Sequence, residues 1–232
     1  MLAWLGISAA AAQDFDARRA RMIDEIDAMY AATRAETGLA AMSPAVRAAM
    51  ARVERHQFVP ESQRAAAYGN HPLPIGAGQT ISQPYIVALS TDLVEPRPGH
   101  TVLEIGTGSG YQAAVLAKIV AQVYSIELIP SLGKEAAQRL RTLGYANVEV
   151  RIGDGYAGWP EKAPFDGIVV TAAAPQVPQA LVDQLKPGGR LVIPVGATHA
   201  VQELRVITKR ADGGVDTRSV LPVRFVPLVP GK

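Results

Sequence analysis

The sequence predicts an α/β fold in which a Rossmann-like sheet of seven mostly parallel strands is flanked by helices and follows a helical N-terminal extension. The first observation is the segment 102–117, VLEIGTGSGYQAAVLA, where an apolar strand turns through three glycines into a helix-forming segment. The second is that apolar, β-branched segments then alternate with helix-forming ones up to the fifth strand. Such alternation is typical of parallel sheets, which bind ligands at the carboxyl ends of their strands.

The last two predicted strands follow the fifth without an intervening helix and give a β-rich end. The seven strands lie near Val102, near Val123, near Val148, over 167–171, over 190–194, over 203–208 and over 219–225. One domain is expected over 14–232, made of a helical part over 14–75, a loop over 76–90 and the Rossmann-like core with its β-rich end over 100–232. With 232 residues, 48% of them hydrophobic, the chain is long enough to bury one sizeable core.

The N-terminal region is predicted to be helical, and its first residues have two interpretations. Residues 1–13, MLAWLGISAAAAQ, are either a signal-like or disordered tail, which ends in small residues but lacks a basic start, or the frayed start of a helix. We expect a cytoplasmic protein, with export to the periplasm as the alternative. Apolar residues recur at helical spacing over 14–36, and Ser43 with Pro44 provides an N-cap and a first-turn proline for a second helix.

Composition argues against several classes of function. The net charge is only +2 and basic residues are not interleaved with aromatic ones, so a nucleic-acid groove is not expected. Cysteine is absent and the four histidines have no ligand spacing, which argues against a thiol nucleophile and against a metal site. The apolar tail is too short to span a bilayer, so no membrane partner is expected.

The glycine turn favours one cofactor over another. Gly106, Gly108 and Gly110 let the backbone turn sharply and approach a ligand closely. A dinucleotide fingerprint has glycine or alanine three residues after its second glycine, where this chain has Tyr111. Glu104, inside the strand, would repel a pyrophosphate, whereas S-adenosylmethionine carries an ammonium and a sulfonium and has no phosphate. The turn therefore favours S-adenosylmethionine over NAD.

Two further acidic residues follow predicted strands at useful spacings. Glu127 comes twenty-one residues after Gly106 and is placed to accept hydrogen bonds from ribose hydroxyls, although a surface glutamate that opens a helix is the alternative. Asp154, beside Gly155, is placed to accept from the adenine amino group, but an aspartate between glycines is also a common turn. Ser109 is expected to cap the helix after the glycine turn.

A glycine- and proline-rich segment, YGNHPLPIGAGQTISQP over 68–84, precedes the first strand of the core. It contains polar residues such as Gln79, Thr80 and Ser82, and we predict a loop followed by a helix. One interpretation is that this loop closes over the cofactor and binds polar groups of a substrate. The other is a connection in which Ser82 and Pro84 cap the helix.

Several segments together resemble the protein-L-isoaspartate O-methyltransferase family, in its bacterial form, from about residue 42 to 228. They are GQTISQPYIVA over 78–88, EIGTGSGYQ over 104–112, GDG over 153–155, PFDGIVVTAA over 164–173, LKPGGRLVIPVG over 185–196 and RFVPLV over 224–229. QTIS and RFVPL are the specific ones, since many methyltransferases share the others. The resemblance implies a class I methyltransferase fold. Many relatives have Ala-Pro-His where this chain has Gln83-Pro84-Tyr85, so any role of that histidine does not transfer.

The resemblance implies methyl transfer from S-adenosylmethionine to the α-carboxylate of L-isoaspartyl residues, leaving S-adenosyl-L-homocysteine. The ester then cyclises to a succinimide, whose hydrolysis restores some normal aspartate. Isoaspartyl-containing proteins and peptides are the expected partners, and a monomer is expected. The alternatives are a methyltransferase of the same scaffold for another acceptor, an NAD-dependent oxidoreductase, and a silent module that binds damaged peptides.

The resemblance also implies roles for individual residues. Ser82 is the expected active-site hydroxyl, which orients the substrate, since a carboxylate with a pKa near 4 is already ionised and needs no general base. The implied cofactor-binding residues are Gln79, Thr80, Ile81, Ser82, Glu104, Gly106, Gly108, Ser109, Gly110, Glu127, Leu128, Asp154 and Gly155. The implied substrate-binding residues are Thr80, Ile81, Ser82, Val226, Pro227 and Leu228, the last three through their backbone.

Overall fold

The computed structural model describes residues 4–198 and 200–231, with side chains from residue 14 onward. Residues 1–3 of the predicted tail lie outside this part, and the backbone of residues 4–13 forms the start of the first helix, α1 (Trp4–Ala32). The interpretation of residues 1–13 as a signal-like tail therefore stays a prediction. Within the described chain, none of the helices combines the length and the apolar character that a bilayer crossing requires.

Two more helices, α2 (Arg34–Thr37) and α3 (Pro44–Arg52), complete the N-terminal helical part together with two short 3-10 helices. The single helix predicted over 14–36 is interrupted at Thr33, which has non-helical dihedral angles. The predicted start of α3 is confirmed, because the Ser43 hydroxyl accepts a hydrogen bond from the Val46 amide at 3.2 Å. The N-terminal helical part is followed by a short hairpin.

This hairpin corrects the prediction of a loop over 76–90. Strands β1 (Leu73–Gly76) and β2 (Gln79–Ile81) pair antiparallel, and the turn between them has positive φ at Gly76, Ala77 and Gly78. Helix α4 (Pro84–Leu93) follows with Gln83 at its N-cap and no side-chain cap. The capping role considered for Ser82 is therefore wrong.

A seven-stranded sheet forms the rest of the structure, as predicted, with helices α5 (Tyr111–Ala117), α6 (Pro130–Thr142) and α7 (Gln179–Asp183) between its strands. Its strands are β3 (Thr101–Ile105), β4 (Gln122–Glu127), β5 (Val148–Ile152), β6 (Phe165–Val170), β7 (Leu185–Val195), β8 (Gln202–Lys209) and β9 (Val215–Val223). The spatial order is β5-β4-β3-β6-β7-β8-β9, with β3 to β7 parallel and β8 and β9 antiparallel.

The strand order creates a crevice at one edge of the sheet. The chain runs outward from β3 through β4 to β5 and then returns to place β6 on the other side of β3. At such a reversal the connections leave in opposite directions, so the carboxyl ends of β3 and β6 border an open crevice. The glycine turn after β3, Glu127 at the end of β4 and Thr171 after β6 all lie at this edge.

The two faces of the sheet bury separate apolar clusters. Val102 packs with the N-terminal helices, including Met22 and Ile26 of α1, whereas Leu103 packs on the opposite face. Alternate residues of a strand point to opposite faces, so the single apolar strand β3 supports both layers. The N-terminal helices therefore share one continuous core with the sheet.

Candidate active site

Three cavities meet at the carboxyl edge of the sheet, and Thr80 and Thr171 line all three. The Glu127 cavity is bordered by Gln79, Gly106, Gly108, Glu127, Leu128, Gly155 and the segment 226–229. The Glu104 cavity is bordered by Ile81, Ser82, Glu104, Gly106, Gly108, Ser109 and Gln112. The third space is a groove of about 840 Å³ bordered by Pro72, Gly78, Ser82, Gln83, Ile86, Val201 and the segment 222–227, and we call it the Arg224 groove.

The glycine turn is held by a close contact with the end of β6. The Thr171 hydroxyl donates to the Gly106 carbonyl at 2.7 Å, and a Cβ on Gly106 would lie 2.4 Å from that same hydroxyl oxygen. Gly110, with φ of +87°, is the N-cap of α5, so the prediction that Ser109 caps this helix is wrong. The Ser109 hydroxyl instead accepts from the Tyr111 amide at 3.3 Å.

Glu127 is buried, which argues against the alternative that it is an exposed surface glutamate at the start of a helix. One of its carboxylate oxygens accepts from the Gly108 amide at 2.7 Å, and the other accepts from the Ile129 amide at 2.9 Å. Each carboxylate oxygen has a second lone pair, so both can accept a further hydrogen bond. The carboxylate is thus fixed by the backbone while it lines its cavity.

Glu104 is fully buried and only half satisfied. Its Oε2 accepts from the Ser125 hydroxyl, whereas its Oε1 has no hydrogen-bond partner among the described residues. Burial, together with the nearby Glu127 carboxylate, raises the pKa of Glu104 to about 8 although the Ser125 hydrogen bond lowers it. A buried carboxylate oxygen without a donor is costly. The cavity beside it therefore suits a cationic donor such as an ammonium group.

Ser82 lies between β2 and α4 and borders both the Glu104 cavity and the Arg224 groove. The hairpin places it there, because the buried Ile81 side chain anchors β2 in the core while the neighbouring Thr80 is exposed. A hydroxyl at this position can reach a ligand in either space.

In the C-terminal segment 226–228, fewer backbone groups are free to bind a substrate than the sequence suggested. The Val226 carbonyl accepts from the Ala173 amide and the Leu228 amide donates to the Ala173 carbonyl, each at 2.8 Å. The Leu228 carbonyl accepts from the Tyr156 hydroxyl at 3.1 Å. These contacts tie the segment to the end of β6 and leave the Val226 N–H and the Pro227 carbonyl facing no backbone partner among the described residues.

All the predicted site residues except Gly110 and Asp154 line one of the three cavities. Asp154 forms a turn, because its Oδ1 accepts from the Tyr156 amide at 2.8 Å and caps a short 3-10 helix. Gly155 lines the Glu127 cavity, and a Cβ there would lie 2.4 Å from Ile105 Cγ2. Among the residues that the structure describes, no group of carboxylates and histidines is arranged to hold a metal ion.

The family of the chain follows from comparison with known proteins. Residues 30–232 match the family model described as Protein-L-isoaspartate(D-aspartate) O-methyltransferase. The chain belongs to this family. A protein-L-isoaspartate O-methyltransferase 2 from Polaromonas sp. (strain JS666) is 60% identical over 207 residues, covering 89% of this chain and 98% of the relative. One from Syntrophobacter fumaroxidans is 57% identical over 226 residues, covering 97% and 92%.

Solved structures of the family have the same fold. A protein-L-isoaspartate O-methyltransferase aligns with a TM-score of 0.79 at 29% identity over 90% of this chain, which spans 65% of that protein's length. A chain from Plasmodium falciparum, assigned to the family and in complex with S-adenosyl-L-homocysteine, aligns with a TM-score of 0.69 at 27% identity, covering 81% of this chain and 91% of that one. The predicted class I methyltransferase fold is confirmed, and S-adenosylmethionine is the cofactor of this family.

Sequence reasoning about this methyltransferase missed Thr171, which borders all three cavities. It is the first residue after β6, and the pairing of Ile105 with Val170 places it beside Gly106. Its position at a carboxyl strand end was a usable signal, since ligands bind along that edge. Arg224, which lines the groove, was also missed as a site residue.

Proposed function

We propose that this methyltransferase modifies the α-carboxylate of L-isoaspartyl residues in proteins and peptides at the point where the three cavities meet. The single observation that carries this proposal is that Thr80 and Thr171 border the Glu127 cavity, the Glu104 cavity and the Arg224 groove. A methyl donor held in the Glu104 and Glu127 cavities would thus present its reactive end to a chain lying in the groove.

The lining of the Glu104 and Glu127 cavities suits S-adenosylmethionine, which supplies an electrophilic methyl group on a sulfonium. Glu104 would accept from the ammonium of its methionine part, because its buried Oε1 has no other donor. Glu127 would accept from the ribose hydroxyls through the free lone pairs of its carboxylate. Leu128 and Gly155 border the same cavity and would contact the adenine.

The protein's task is to align the substrate carboxylate with the methyl group. An ionised carboxylate needs no general base. The rate enhancement would therefore come mainly from holding the two reactants in the right orientation, which lowers the activation free energy by roughly 7 kcal/mol or more. Ser82 would donate a hydrogen bond from its hydroxyl to one carboxylate oxygen and so direct the other oxygen toward the junction. Ile81 would exclude water, since its side chain is buried beside Ser82.

The substrate backbone would pair with the C-terminal segment. The Val226 N–H and the Pro227 carbonyl remain for such pairing, because Ala173 and Tyr156 occupy the neighbouring groups. Main-chain hydrogen bonds carry little information about side chains, so many flanking sequences would be accepted. We further propose that the enzyme acts as a monomer in the cytoplasm, where its cofactor is made.

The test is to incubate the purified protein with methyl-labelled S-adenosylmethionine and two peptides that differ only in L-isoaspartate or normal L-aspartate. Base-labile methyl ester is then counted in each. Label on the isoaspartyl peptide alone is the expected result. Label on neither peptide, with S-adenosyl-L-homocysteine bound in calorimetry, would instead favour a methyltransferase for another carboxylate acceptor. A thermal shift with NAD and none with S-adenosyl-L-homocysteine would favour the oxidoreductase alternative.

A further inference from the structure

The Arg224 groove contains a single charged side chain among its lining residues, and this is the guanidinium of Arg224. The other lining residues are uncharged, including Ser82 and Gln83 on one wall and Val201 and Phe225 on the other. A positive charge in an otherwise neutral groove sets the preferred charge of whatever lies there.

Unlike Arg205 and Arg210 of the neighbouring hairpin β8–β9, Arg224 has no acidic partner among the residues that the structure describes. Arg205 is paired with Glu203 at 2.9 Å and Arg210 with Asp212 at 3.2 Å. Arg224 is exposed and forms no ion pair with a residue that the structure describes. Its positive charge is therefore available to a ligand, because no acidic side chain of the described residues neutralises it.

The position of Arg224 separates it from the methylated carboxylate. It borders the groove but neither the Glu104 cavity nor the Glu127 cavity, whereas Thr80, Ser82 and Thr171 surround the junction at which the methyl group would be presented. It precedes Val226 by two residues, which in an extended backbone corresponds to roughly 7 Å. A peptide paired with Val226 would thus bring a neighbouring side chain, and not the isoaspartyl carboxylate, to the guanidinium.

We propose that Arg224 is a specificity-determining residue that favours substrates with an acidic side chain two positions from the isoaspartyl residue and disfavours basic ones. This proposal rests on the proposed function, since it assumes that an isoaspartyl peptide occupies the groove. The guanidinium offers several N–H donors to a carboxylate, while a lysine at the same place meets like charge. The effect is that of an exposed ion pair and weakens with salt.

The experiment measures kcat/KM for isoaspartyl peptides that carry glutamate, glutamine or lysine at the second position on either side. At one of these two peptide positions, kcat/KM of the wild-type protein should be about two- to fivefold higher with glutamate than with lysine, which is the range of an exposed ion pair. Arg224→Gln should abolish that preference, so that kcat/KM becomes equal for the glutamate and lysine peptides. Arg224→Lys should keep the preference in part, and added salt should reduce it in the wild type.

Arg141→Gln provides the matched control, because Arg141 is exposed in the last turn of α6 and lies outside the groove. This variant loses the same charge and should keep the wild-type preference. An equal preference in wild type and Arg224→Gln would overturn the proposal, as would a uniform loss on all the peptides. Absence of methylation of every peptide by the wild type would be a failure of the proposed function itself.

Discussion

The carboxylate of Glu127 accepts a hydrogen bond from the Gly108 amide at 2.7 Å, so the acidic end of β4 is bonded directly to the glycine turn after β3. The same carboxylate also accepts from the Ile129 amide just before α6. One side chain therefore fixes the turn, the start of a helix and the wall of the Glu127 cavity. Its role in holding the cofactor and its role in shaping the cavity are coupled.

We expect Glu127→Gln to weaken S-adenosyl-L-homocysteine binding by about 10- to 100-fold, the value of a hydrogen bond to a charged group. A glutamine amide would place a donor against the Gly108 or Ile129 amide, so the melting temperature should also fall. Calorimetry and thermal unfolding measure the two effects. Glu135→Gln is the control, since Glu135 is exposed on α6. Unchanged affinity would remove the assignment of Glu127 to the ribose.

Glu104 is expected to make the free protein less stable as the pH rises. Burial raises its pKa from 4.5 to about 8, so between these values the folded protein holds a proton that the unfolded chain releases. The free energy of unfolding therefore falls as the pH rises through this window. Glu104→Gln should flatten the profile and be more stable than wild type at pH 8. Denaturant unfolding from pH 5 to 8.5 measures this, and parallel profiles for the two proteins would contradict it.

Cofactor binding should release a proton from Glu104. An ammonium beside Oε1 favours the ionised carboxylate and lowers the pKa that burial has raised. Affinity should accordingly increase as the pH rises toward 8. Calorimetry at pH 7 in two buffers of different ionisation enthalpy detects the release, which should be absent in Glu104→Gln. The same apparent enthalpy in both buffers for wild type would place the ammonium elsewhere.

Much of the site could be predicted because it depends on local pattern and on the edge of a parallel sheet. Glu104 and Glu127 lie in the crevice because β3 and β4 are parallel neighbours whose carboxyl ends coincide. Thr171 also lies at a carboxyl strand end, but a threonine there has no characteristic spacing, so the sequence did not show which groups it contacts. Only the register of β3 with β6 brings it to Gly106.

The hairpin β1–β2 was beyond sequence reasoning for a different reason. Its strands have four and three residues, too few to establish an alternating pattern. Its turn includes Ala77 with φ of +51°, a backbone conformation that alanine rarely adopts. No turn rule therefore predicts this conformation from the presence of an alanine. The hairpin is held by its surroundings, which include the buried Leu73 and Ile81.

Tyr85, where many relatives have histidine, is expected to support the fold and not the reaction. It is 2% exposed, its hydroxyl lies 2.5 Å from Thr33 Oγ1, and its ring packs edge-on against Tyr30. Tyr85→Phe should lower the free energy of unfolding by about 0.5 to 1.5 kcal/mol, the net value of one hydrogen bond. Turnover of the isoaspartyl peptide should stay unchanged, because Tyr85 borders none of the three cavities. A fall in kcat at full folding would contradict this interpretation.

Ser82→Ala is expected to lower kcat/KM for the isoaspartyl peptide by about tenfold, corresponding to one hydrogen bond that orients the carboxylate. Affinity for S-adenosyl-L-homocysteine should change far less, because Glu104 and Glu127 supply the charged contacts to the cofactor. Ser82→Thr retains a hydroxyl and should recover part of the activity. Rates are measured with labelled cofactor at saturating concentration, so that any change reflects the peptide and the methyl transfer. Full activity of Ser82→Ala would mean that the substrate carboxylate is aligned without Ser82, by Thr80 and the backbone of the C-terminal segment, both of which border the same junction.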